Sequence, residues 1–163
     1  MYYLKGQKRF NDCGVACCAT ILGLYGLHYN YKKLGNADTF LDILVILKSY
    51  NIDCKAIYNK DINTFPCIVQ VKRFGHYHFV VIYEEKDNKF IYYSPNKLVI
   101  HKKNKKRFLK YYTKKAIIIN KKEQYHHYEI NLKSLPYSIK LILFDIFLII
   151  LIISLLSSNF FVL

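Results

Sequence analysis

Between Pro66 and Asn96 the chain alternates short β-branched or aromatic runs with tight turn signals, and no other stretch restricts its possible folds so strongly. Cys67-Ile68-Val69-Gln70-Val71 follows Pro66 and ends at a basic pair, the pattern of a short buried strand. Phe74-Gly75 marks a turn, after which His78-Phe79-Val80-Val81-Ile82-Tyr83 forms a second strand. A charged connection from Glu84 to Lys89, with Asp87-Asn88 at its tip, leads into a third strand, Phe90-Ile91-Tyr92-Tyr93, which stops at the turn Ser94-Pro95-Asn96. Strands joined so closely pair antiparallel, which brings the start of one, at His78, beside the end of the next, at Ser94.

The first fifty residues have a different periodicity. Val15, Cys18, Ala19 and Leu22 recur at helical spacing, Asn11 or Asp12 is placed to cap that helix, and Tyr25-Gly26 is placed to end it. A thiol at Cys13 then sits in the first helical turn, where backbone N–H groups and the positive end of the helix dipole favour thiolate and lower its pKa. Gly14 beside it lets a substrate carbonyl approach the backbone. A second helix is expected from Thr39 to Tyr50, with Phe40, Ile43, Leu44 and Leu47 inward and Asp42 outward. Ile52 to Tyr58 alternates as a strand with Ile52, Cys54, Ala56 and Tyr58 on one side. Leu98-Val99-Ile100 and Ala116-Ile117-Ile118-Ile119 are further candidate strands, with a helical turn at Phe108 to Tyr112 between them. Helices first and antiparallel strands afterwards is an α+β layout.

At 163 residues the chain suits one domain over residues 1–120 with an appendage. The net charge of +14 is concentrated between Lys97 and Lys122, where 11 Lys and Arg occur without Asp or Glu. The run at 102–107 is expected to be a solvated face or a juxtamembrane patch drawn to anionic lipid. No groove motif accompanies the charge, so nucleic acid is not an expected partner. Five irregularly spaced cysteines form neither a secreted disulfide framework nor a paired metal knuckle. Cys17, Cys18, Cys54 and Cys67 fall in apolar patterns and are expected to pack, while His101, His126 and His127 lie in polar, lysine-rich surroundings; no metal or cofactor is expected. A polar linker is expected over 121–138. Residues 139–163 are apolar on every helical face and exceed the roughly 20 residues that span a bilayer, so a C-terminal transmembrane helix is expected. The basic segment before it places residues 1–138 in the cytoplasm.

A cysteine peptidase needs a thiolate at a helix N-terminus, an imidazole to take its proton, a group to orient that imidazole, and donors for the oxyanion. The chain offers Cys13, His78, the turn from Ser94 to Asn96, and Gln7.

Gln7 followed by Asp12-Cys13-Gly14, an apolar helix ending at Tyr25-Gly26, Gly75-His76-Tyr77-His78-Phe79-Val80-Val81, and then a Pro-containing turn together resemble the bacteriocin-processing peptidase family. That family is the papain-like domain at the N-terminus of ABC exporters that cut double-glycine leader peptides. The resemblance covers about residues 1–120, and the expected span stands where such exporters begin their membrane domain. It implies a papain-like α+β fold with Cys13 as nucleophile, His78 as general base and then acid, and Gln7 as oxyanion donor beside the Cys13 backbone N–H. His76 is the competing histidine, set aside because His78 directly precedes the Phe-Val-Val-Ile run.

One position departs from the family. Where an Asp precedes the Pro, this chain has Ser94, which can accept a hydrogen bond from an imidazole N–H but brings no charge to stabilise imidazolium. Asn96 is an alternative orienter. The expected function is a membrane-tethered cysteine endopeptidase, its peptidase domain cytoplasmic, that removes Gly-Gly leaders for an ABC exporter. The alternative is an impaired peptidase-like domain that holds the leader without cutting. No phosphate-binding G-x-x-x-x-G-K-[ST] run occurs, so the ATPase is expected on a separate chain or further along a longer one.

Overall fold

The computed structural model describes residues 3–8, 11–97 and 99–120. Leu98, the linker and transmembrane helix expected over 121–163, and His126 and His127 lie outside the described residues. Among the described residues no helix is long and apolar enough to cross a membrane.

Two helices, α1 (Cys13–Leu24) and α2 (Phe40–Ser49), precede a six-stranded antiparallel sheet. Its strands are β1 (Cys54–Tyr58), β2 (Cys67–Arg73), β3 (His76–Lys86), β4 (Lys89–Tyr93), β5 (Ile100–Asn104) and β6 (Tyr112–Ile119), with the short helix α3 (Lys105–Leu109) before the last. The order across the sheet is β1-β6-β2-β3-β4-β5. The expected hairpins form as read: Phe74 and Gly75 take φ of 49° and 82°, and Asp87 and Asn88 take 53° and 57°. Positive φ at both central residues is the twist-matching geometry of two-residue hairpins. The turns are tight enough that β3 extends beyond the expected His78–Tyr83 at both ends.

Both faces of the sheet are covered, which is why its central strands read as continuous apolar runs. On one face Ile68, Phe79, Val81, Tyr83, Tyr93 and Ile117 meet α1 and α2. On the other, Val69, Val80, Ile82, Phe90 and Ile118 pack around Phe108 of α3. The Phe108 ring sits edge-on to Phe90 at 5.3 Å and to Tyr92 at 5.0 Å, geometries that suit the aromatic quadrupole.

The structure departs from the sequence pattern in four elements. Helix α1 does not present one apolar face, because every residue from Gly14 to Leu24 is buried among α2, the sheet and the N-terminal arm that carries Leu4. In α2 the buried positions are Ile43, Ile46 and Leu47, while Leu44 is only partly covered. Asp42 faces outward as expected and has a definite task there. Its carboxylate accepts the Thr39 backbone N–H at 2.9 Å while the Thr39 hydroxyl accepts the Asp42 N–H at 3.2 Å, a reciprocal cap that starts the helix.

In β1 the expected alternation fails. Cys54 is buried, but Ala56 and Tyr58 are exposed, because β1 is an edge strand that the helices cover only at its beginning. The strand expected over Leu98-Val99-Ile100 starts only at Ile100 and runs into the lysine-rich stretch, whose Lys102, Lys106 and Arg107 are exposed as a solvated face would be. Ile100–Asn104 is the opposite edge strand, pairing Lys103 with Phe90 and Lys102 with Ile91, and Lys105 bridges Glu85 at 2.8 Å. Ile100 packs against the core and the following helix buries Phe108, while the lysines of the edge strand discourage pairing with another chain.

Candidate active site

A cleft of about 970 Å³ is lined by Gln7, Cys13, His78, Ser94 and Asn96. These residues come from four separate segments: the N-terminal arm, the start of α1, the start of β3, and the turn after β4. The antiparallel pairing of Val81 with Tyr93 places the two strand ends together. His78 then reaches diagonally across, and its Nε2 lies 2.9 Å from the Ser94 hydroxyl. The Ser94 hydroxyl donates in turn to the Asn96 side-chain oxygen at 2.7 Å. Serine and asparagine, weighed from sequence as alternatives, are thus consecutive members of one chain of hydrogen bonds. The arm is held to the same turn, since the Gln7 backbone N–H donates to the Pro95 carbonyl at 3.0 Å. His76 also lines the cleft but is exposed, opposite Arg73 near the hairpin tip.

Cys13 is the first residue of α1, and Asp12 occupies the cap position without a side-chain capping bond. The Asp12 carboxylate instead accepts the Lys8 N–H at 3.1 Å and the Tyr31 hydroxyl at 2.8 Å, drawing the arm and the following loop around the helix start. Nothing in the sequence pattern pairs Tyr31 with Asp12, which lies 19 positions away.

The thiol departs from the helix-dipole expectation. Burial pushes Cys13 above its ordinary value, with Asp12 adding in the same direction, against hydrogen bonds from the Phe79 and Gly14 backbone that favour thiolate. Loss of solvation, which disfavours the charged thiolate, is the largest influence on this thiol. Burial likewise pushes the His78 imidazole down, to about 4. At neutral pH the pair therefore rests as thiol and neutral imidazole. Cys17, Cys18, Cys54 and Cys67 are all buried, as expected of packing residues.

Gly14 has a different task from the one its position suggests. A Cβ there would lie 1.9 Å from the Ala37 carbonyl oxygen, so the missing side chain admits the loop before α2, not a substrate carbonyl. That loop contributes Ala37 and Asp38 to the cleft, and the wall beyond His78 carries Arg73, Lys103 and Tyr111. The Arg73 guanidinium lies 5.3 Å from the Tyr111 ring and the Lys103 ammonium 4.3 Å from it. Nothing in the sequence marks this wall as part of the site, because its members come from β2, β5 and the turn after α3 and meet only through the sheet order.

Residues 1–124 match the model of the peptidase C39 family. The chain belongs to that family. The sublancin-168-processing and transport ATP-binding protein SunT of Bacillus subtilis is 32% identical to this C39 member over 111 residues, covering 58% of this chain and 16% of SunT. The chain thus matches only a small part of the length of that relative. The peptidase domain of Streptococcus ComA, a bifunctional ABC transporter involved in quorum sensing, superposes with a TM-score of 0.65 at 27% identity, over 73% of this chain and 98% of that one. A double-glycine-motif protease from an AMS/PCAT transporter, solved with its leader peptide, gives the same TM-score at 23% identity, over 73% of this chain and 91% of that one, and bears on the fold alone. The papain-like α+β fold is the one the sequence implied.

Proposed function

We propose that this C39 family member is a cysteine endopeptidase that removes double-glycine leaders from secreted peptides and passes the product to an ABC exporter. The observation that carries the reading is the contact between His78 Nε2 and the Ser94 hydroxyl in the cleft that Cys13 and Gln7 also line. With Nε2 engaged, Nδ1 is the nitrogen left for the thiol.

In this reading the Cys13 Sγ–H proton passes to His78 Nδ1 as sulfur attacks the carbonyl carbon of the second glycine. Charge on the tetrahedral oxygen is met by the Gln7 side-chain amide and the Cys13 backbone N–H. The proton on His78 then goes to the leaving amine as the C–N bond breaks; water, deprotonated by His78, attacks the thioester, the C–S bond breaks, and that proton returns to the sulfur. Because thiol and imidazole rest neutral, proton transfer accompanies attack instead of preceding it. Residues 1–120 would form the peptidase domain in the cytoplasm, 121–138 a linker, and 139–163 a membrane span. The exporter's membrane and ATPase parts would lie further along a longer chain or on a separate one.

Incubating the full chain in detergent with a double-glycine precursor, and reading the products by mass spectrometry, tests this. Cleavage after Gly-Gly that disappears in Cys13→Ala supports it. Failure of both the native chain and Ser94→Asp to cut overturns it.

A second reading has its own support. Ser94 brings no charge to the imidazole, and burial opposes both ionised forms. A domain that binds leader without cutting fits those facts, and cleavage by Ser94→Asp alone, with leader binding unchanged in Cys13→Ala, would select it.

A further inference from the structure

A carboxylate beside a histidine can only accept, so it dictates which ring nitrogen holds the proton. A serine hydroxyl can accept or donate, and by itself dictates nothing. With Ser94 next to His78, the direction of that hydrogen bond has to be set by something further out.

We propose that Asn96 is a positioning residue that fixes the tautomer of His78 through Ser94. The hydroxyl of Ser94 has a single proton, and it is donated to the Asn96 side-chain oxygen at 2.7 Å. Only lone pairs then remain to face His78 Nε2 at 2.9 Å, so that nitrogen must carry the ring's hydrogen. A neutral imidazole has one such hydrogen, which leaves Nδ1 bare and basic. Proton transfer from Cys13 Sγ fills Nδ1, and Nε2–H keeps its bond to Ser94 throughout. Were the hydroxyl turned round to donate to Nε2, the proton would sit on Nδ1 and no base would remain for the thiol. Burial keeps the ring neutral at pH 7, the state in which the choice of tautomer matters. Asn96 itself is exposed in the turn, so replacing it does not disturb the core.

The catalytic consequence rests on the peptidase reading, whereas the tautomer can be read without any turnover. The full chain is labelled with 15N-histidine and its ring nitrogens are observed by long-range proton–nitrogen correlation, with His78→Gln assigning the signal among six histidines. The native chain is expected to show Nε2 protonated and Nδ1 bare. Asn96→Ala frees the hydroxyl to donate and shifts the ratio toward the Nδ1–H form by about tenfold, with a fall in kcat on a double-glycine precursor of similar size and little change in KM. Asn96→Asp, which can only accept, restores the Nε2–H form and with it kcat. An Nδ1–H ring in the native chain, or a ratio unmoved by Asn96→Ala, overturns the proposal. If the tautomer responds as described but neither the native chain nor Ser94→Asp cuts any precursor, the peptidase reading fails and the role of Asn96 in setting the tautomer stands.

Discussion

Replacing Ser94 by Asp should change the ionisation of the whole site, and the size of the change follows from the geometry. The hydroxyl lies 2.9 Å from His78 Nε2, so a carboxylate built there places its charge ~4 Å from the imidazolium. At an effective dielectric constant of ~20 that attraction is ~4 kcal/mol, an upper range that corresponds to raising the imidazole pKa by about 2 to 3. His78 now titrates at about 4, so the substitution brings it to roughly 6 to 7. The population of thiolate–imidazolium relative to thiol–imidazole scales with the difference between the two pKa values, and rises by roughly 10²- to 10³-fold. Asn96 has to adjust, because its side-chain oxygen would face a carboxylate in place of a hydroxyl proton; turning the amide presents its NH₂ instead. Iodoacetamide reads the result cleanly, since Cys13 is the partly exposed cysteine and the other four are buried. In the native chain the alkylation rate should climb only at pH values above the ordinary thiol range, whereas Ser94→Asp should add a plateau of faster reaction that begins at about pH 7. Superimposable rate profiles for the two proteins would refute the assignment of Ser94 as the partner of His78.

His78 also makes stability depend on pH. Its folded value, about 4, lies below the ordinary 6.5, so the unfolded chain binds the extra proton first. The contribution is fully present above pH 6.5 and is lost as pH falls toward 4, by roughly 3 kcal/mol. Urea titrations at pH 7.5 and 4.5 should show the native chain losing more stability on acidification than His78→Gln, by about that amount; equal losses would contradict a buried neutral ring. Gly14→Ala forces the loop at Ala37 away from α1 and should cost about 1–3 kcal/mol or more while lowering activity, measured by thermal melts and precursor cleavage. A melt matching the native one would mean that the close approach is absent. Thr39→Ala removes one half of the reciprocal cap on α2 and should cost ~1 kcal/mol in urea unfolding, with the cleavage rate unchanged because α2 is anchored from behind by Ile43 and Leu47.

How far the fold can be read from residue order depends on how local its causes are. The hairpins linking β2, β3 and β4 are legible because Phe74-Gly75 and Asp87-Asn88 act within a few residues of the strands they join. The insertion of β6 between β1 and β2 is not, since it pairs Cys67 with Ile118 and Cys54 with Ile119 across more than fifty positions. Both neighbours of β6 are apolar or alternating, and nothing in either run names the other. The same remoteness hides the edge position of β1. Alternation over Ile52–Tyr58 promises a buried side, but burial needs a covering layer, and within β1 only Cys54 is buried.

The site divides along a similar line. Placement of His78 beside Ser94 follows from antiparallel geometry alone, and Cys13 at a helix start follows from the onset of the apolar pattern. Ionisation does not, because a helix N-terminus and a buried pocket act on a thiol in opposite senses and the sequence records only the first. Cys13 packs against the core beneath the sheet, and the arm beside it is held by Lys8 to Asp12 and by Gln7 to Pro95, two bonds with no sequence signature. The second of those bonds joins the Gln7 side of the cleft to the turn that carries Ser94. Any movement of the turn that weakens the hold of Ser94 on His78 therefore carries the backbone of Gln7 with it. The turn is therefore held at two points, by the arm through Pro95 and by the Asn96 side-chain oxygen that accepts the Ser94 hydroxyl.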